Sequence, residues 1–193
     1  NSSNTGVRTI YMRSSIFTLK GATTVFTIAN STNLTVHAGT SLIRVTADTA
    51  NARGISSSTP QPINDVEILA GSGNMSLTGG MNNITFDNAY SGTWNAGTLT
   101  AFGNVILSNQ MHTSSSETLT MTAVGGDKVL NVAGTTFDKP LTINTTNKID
   151  VIGGDLTTGQ TVTSRTLTLT QGTLDLNGND LMFGNLSSGN TNT

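Results

Sequence analysis

Apolar residues along this chain recur two positions apart, not three or four. The recurring unit is apolar-x-apolar, as in Phe26/Ile28, Leu34/Val36, Ile43/Val45, Val66/Ile68, Met75/Leu77, Ile84/Phe86 and Val105/Leu107. The same unit returns in Leu119/Met121, Leu130/Val132, Leu141/Ile143, Ile149/Val151, Leu167/Leu169, Leu174/Leu176 and Leu181/Phe183. A strand sends alternate side chains to opposite faces, so each doublet puts two apolar groups on one face and a polar group on the other. Consecutive doublets often start seven to eleven residues apart, with Gly or Asn between them. That spacing predicts short strands joined by tight turns, and helical periodicity is almost absent.

The last stretch carries the pattern most plainly. Doublets beginning at Leu167, Leu174 and Leu181 are spaced by seven, and two to four residues containing Gly, Asn or Gln connect them. Gly and Asn adopt positive φ at little cost, so such connections can turn a chain through a corner. Three strands and three corners make one coil of a parallel β-solenoid. Coils of about 20 to 30 residues, stacked at the usual strand separation, predict roughly six to eight coils and a rod on the order of 30–40 Å long. The alternative is an antiparallel β-sandwich or jelly roll, because Asn177-Gly178 between two alternating strands is also a strong hairpin signal. The solenoid is favoured because doublets stay in phase across connections too short for Greek-key crossovers.

The N-terminal part is less regular. Residues 50–62 hold no doublet and two of the three prolines, which predicts a loop or hinge. Residues 1–49 are expected to form an irregular β segment and residues 63–193 the repeat solenoid.

Composition sharpens this picture. Only 10% of residues are charged, far below the usual share of about 25%; Thr, Ser, Asn and Gly take their place. A net charge of -2 gives no electrostatic reason to expect nucleic acid or an acidic membrane as partner. With no cysteine there is no disulfide framework and no thiolate metal site. No apolar run is long enough to span a bilayer as a helix. The chain starts at Asn1 without Met and ends in a polar tail, which reads as a processed product or a piece of a longer polypeptide.

Candidate chemistry is sparse. His37 falls opposite an apolar doublet, where a strand exposes it, and His112 falls beside a serine run, where a loop is expected. Asp127-Lys128, Asp138-Lys139 and Asp150 could stack on neighbouring coils, as polysaccharide-cleaving solenoids require, but solvated turn charges account for them as well. Asp175 to Asp180 has Asp180 where a calcium loop needs Gly and no Glu follows at its last position, and Gly153-Gly154-Asp155 lacks the nonapeptide repeat of calcium-binding β-rolls, so no metal or cofactor is expected. Gly79-Gly80 and Gly153-Gly154 precede no Lys-Ser/Thr and do not read as phosphate loops. Repeated Thr-x-Thr raises the idea of a flat ice-binding face. The pairs change spacing along the chain, which predicts ordinary exposed strand threonines instead. Trp94, with Tyr90 and Phe102 nearby, is either a packing cluster or a glycan-stacking platform, and packing is favoured.

Over Thr93 to Thr193, about its C-terminal half, the chain resembles repeat modules of tail-fibre-like and surface proteins of marine bacteriophages and bacteria. The carriers are Ser91-Gly92-Thr93-Trp94-Asn95-Ala96-Gly97-Thr98, Phe137-Asp138-Lys139-Pro140-Leu141-Thr142-Ile143, Arg165 to Thr170, Gly172 to Gly178, and Leu186 to Thr193. The resemblance implies a solenoidal module of a virion or extracellular fibre, with no catalytic residues to carry over. The expectation is therefore a non-enzymatic spacer or host-attachment element in a larger, homo-oligomeric assembly. The alternative is a carbohydrate-binding adhesin module with a surface glycan as partner, ahead of a polysaccharide-degrading β-helix enzyme.

Overall fold

The computed structural model describes residues 6–21, 26–28, 33–46, 49–57, 63–114, 116–157 and 165–188. Among them it contains strands and no helix, wound as a β-solenoid of about 7 turns. After β1 (Arg8–Tyr11), the first turn holds β2 (Ile16–Leu19), β3 (Phe26–Ile28) and β4 (Leu34–His37). The next two hold β5 (Leu42–Val45) with β6 (Arg53–Ser57), then β7 (Asp65–Ile68) with β8 (Met75–Met81). Two regular turns follow: β9 (Ile84–Phe86), β10 (Thr93–Ala96) and β11 (Leu99–Ala101), then β12 (Val105–Ile106), β13 (His112–Thr113) and β14 (Leu119–Met121). The remaining turns use β15 (Lys128–Asn131), β16 (Leu141–Ile152), β17 (Leu156–Thr157), β18 (Thr166–Asp175), β19 (Leu181–Met182) and β20 (Asn185–Ser188).

Every strand pair among the described residues is parallel, which excludes the sandwich alternative. The Asn177-Gly178 signal marks a corner, not a hairpin: both residues take positive φ (50° and 80°), and the flanking strands pair with other turns. The first face stacks β2, β5, β7, β9, β12, β15, the end of β16 and the end of β18. β3, β6, the start of β8, β10 and β13 stack on the second face. It continues through Phe137, whose N–H donates to the Thr157 carbonyl at 2.8 Å, to β17 and β19. The third face stacks the end of β8, β11, β14, the start of β16, the start of β18 and β20.

From Ile43/Val45 to Ile149/Val151 the doublets point inward and stack in register. Ile43, Val66, Ile84, Val105, Leu130 and Val151 form one ladder on the first face. Leu99, Leu119, Leu141 and Leu167 form another on the third, all fully buried. Each such side chain meets like-shaped neighbours above and below, so one repeated rule builds a continuous core.

Corners are held by Asn and Asp side chains. A backbone N–H leaving the ladder at a bend has no carbonyl opposite it and needs another acceptor. Asp65 Oδ1 accepts from the Asn83 N–H, Asn83 Oδ1 from the Asn104 N–H, and Asn104 Oδ1 from the Val129 N–H (3.1, 2.9 and 2.9 Å). A second corner uses local turns, with Asp87, Asn131 and Asp175 each accepting from the N–H two residues on.

Within the loop or hinge expected over residues 50–62, residues 50–52 are irregular, residues 53–57 form β6, paired with β3 and β8, and residues 58–62 lie outside the described residues. The doublet rule missed this strand because the inward neighbours of Ile55 are Arg53 and Ser57, both buried and both polar. In the described part of residues 1–49, β2 and β5 lie in the same sheet as β7.

Candidate functional site

The aromatic group expected around Trp94 splits in two. Trp94 and Tyr90 lie in the core at 0% exposure, while Phe102 stays half-exposed on the third face. Inward alternation on β10 sends Trp94 into the rod, where its ring sits 5.7 Å from that of Phe86; Phe86 in turn lies 5.3 Å from Tyr90. The Tyr90 hydroxyl donates to the Gly73 carbonyl at 2.8 Å, and its burial raises its pKa well above the ordinary phenolic value. A ring without an exposed face gives a sugar nothing to stack on.

Against Trp94 lies a residue that sequence reasoning placed at a solvated turn. Lys139 is 0% exposed, its Nζ 4.6 Å from the Trp94 ring centre. No hydrogen-bond acceptor meets this ammonium among the described residues. Burial pulls its pKa down to about 8, with Glu117 opposing the shift. The face of an indole attracts a cation, which partly replaces the lost hydration.

The other candidate carboxylates are dispersed. Asp138 pairs with Arg165 (2.8 Å), and Asp127 caps the Lys148 N–H (2.9 Å). Asp150 and Asp175 stand opposite each other on adjacent rungs and share the Lys148 ammonium, at 2.6 and 3.4 Å. Hydrogen bonding to Asp150 is the main reason the Lys148 pKa is raised. The N–H of Asn177, with Lys148, holds Asp175 below the usual carboxylate range.

Three surface grooves of about 330, 520 and 370 Å³ lie on the rod. Arg53 and Asp87 are the only charged residues lining them, and they belong to different grooves. Among the described residues no three His, Asp or Glu gather closely enough to hold a metal ion.

His37 is exposed, as its place in the pattern predicted, and lies flat against Tyr11 with ring centres 4.6 Å apart. His112 is exposed too, but in strand β13 instead of a loop, because its N–H pairs with the Gly92 carbonyl one turn below (3.0 Å).

Fold and surface together define a parallel β-solenoid with an apolar interior and a mostly uncharged exterior. In comparisons with protein-family models, curated proteins and solved structures, nothing matches the chain.

Proposed function

We propose that the chain is a stiff structural segment of an extended fibre on a virion or cell surface, working as a spacer or attachment element inside a larger assembly. The observation that carries this reading is the state of the two terminal rungs. Val7, Tyr11 and Ile16 are 84%, 63% and 57% exposed at one end, and Leu186 and Met182 are 67% and 49% exposed at the other. Apolar side chains exposed at the outer strands of the described residues favour packing against other subunits. Stiffness follows from main-chain hydrogen bonds running along the axis and a close-packed core. A non-enzymatic role is supported by the candidate carboxylates, which are engaged in ion pairs and caps: Asp138 with Arg165, Asp127 with the Lys148 N–H, and Asp150 and Asp175 with the Lys148 ammonium.

Electron microscopy with an antibody raised against the purified chain tests the proposal. The expected label lies along the shaft of a filament projecting from a particle or a cell. Label confined to the cytosol, or on a globular enzyme complex, overturns it.

A further inference from the structure

The third face presents an ordered lattice of threonines. β11, β14, the start of β16 and the start of β18 stack without slippage there, so Thr100, Thr120, Thr142 and Thr168 stand in one column, ended by Ser187. Two positions earlier on each strand, Thr98, Thr118, Pro140, Thr166 and Asn185 form a second column beside it. Phe102, Thr122 and Asn144 begin a third. None of these positions is charged. The nearest charges sit at the margin and are engaged: Asp138 with Arg165, and Glu117 with the Gly97 N–H (3.1 Å). In contrast, the first face carries Arg44–Glu67 and Lys148 with its two aspartates.

A second observation concerns the hydroxyls. Elsewhere in the fold, threonine hydroxyls are used internally: Thr113 donates to Thr136, Thr135 to Met111 and Thr145 to Ala123. Those of Thr98, Thr100, Thr118, Thr120, Thr142, Thr166 and Thr168 have no partner among the described residues. Each keeps one donor and two acceptor sites, with a methyl group beside them.

We propose that this face binds crystalline water. Rungs about 4.8 Å apart and columns about 6.6 Å apart make a regular grid of hydroxyls and methyls. Hexagonal ice presents water oxygens at two repeats close to these. The grid is held by the backbone ladder and by β-branched side chains with few rotamers, so binding costs little ordering. Hydroxyls fix waters at lattice positions, and methyls fill the gaps between them without competing for hydrogen bonds. An uncharged face suits this ligand, because a fixed charge would impose a hydration shell that does not match the lattice.

The test grows ice slowly on a cold finger in a dilute solution of the dye-labelled chain and measures the share of protein in the ice, alongside crystal shaping. The wild-type chain is expected to enter the ice and facet crystals. Thr120→Lys and Thr142→Lys are each expected to lose both effects while melting at the wild-type temperature. Thr85→Lys, on the outer side of the first face, is expected to keep them. Exclusion of the wild-type chain from ice overturns the proposal whatever the variants do. So does retention of ice binding by well-folded Thr120→Lys and Thr142→Lys, or capture on crystalline cellulose or chitin with no entry into ice.

Discussion

Replacing Lys139 by Met should stabilise this protein, and by an amount that depends on pH. The side chain is fully buried against Trp94, and its ammonium meets no acceptor among the described residues. Its pKa falls from 10.5 to about 8 on folding. Below pH 8 both states carry the charge, and folding bears the whole desolvation penalty. A shift of this size corresponds to about 3 kcal/mol. Attraction to the indole face returns about 1–2 kcal/mol, so Lys139→Met is expected to gain roughly 1–3 kcal/mol at pH 7. Met is unbranched and similar in length, so it fills the same channel. Between pH 8 and 10 the unfolded chain holds more protons than the folded one, so wild-type stability rises with pH and the advantage of Met shrinks. Above pH 10 the buried Tyr90 reverses the trend, because the unfolded phenol ionises while the folded one keeps its proton. Urea unfolding at pH 6, 7, 9 and 10, followed by Trp94 fluorescence, reads these slopes directly. The reasoning fails if Lys139→Met is no more stable than wild type at pH 7, or if its advantage is the same at pH 7 and pH 10.

Other expectations concern the scaffold. Gly97 turns a corner at φ 98°, and a methyl there would run into the Leu77 carbonyl oxygen; Gly97→Ala should cost roughly 1–3 kcal/mol in a thermal melt. Asn104→Ala strips the acceptor from the Val129 N–H and should lower stability by about 1–3 kcal/mol. Leu119→Ala opens the third-face ladder between Leu99 and Leu141 and should lose about 2–5 kcal/mol. Hydrogen exchange in that variant should quicken most in β11, β14 and the start of β16, because each rung leans only on its neighbours. An even loss of protection along the rod would contradict that.

Much of the architecture was legible because local alternation and global packing agree. Each doublet from Ile43/Val45 to Leu141/Ile143 points into the core, and Asn or Gly marks the corners between. Legibility ended where an inward position is polar. Arg53 and Ser57 hid β6, and Lys139 read as a turn charge because burial comes from residues far away in sequence. The split between Trp94 and Phe102 likewise depends on strand phase at a corner, which residue types do not reveal.

Period-two alternation alone was enough to make this chain a series of short strands with one apolar side, because side-chain direction is set by the strand itself. Only the tertiary structure decided which strands became neighbours. Successive rungs are separated by as few as 18 residues (Val66 to Ile84) and as many as 29 (Phe26 to Ile55), with the slack taken up in the corners. In sequence the threonine pairs therefore drift in spacing. In space they align, because backbone hydrogen bonding fixes register without regard to the length of chain between rungs.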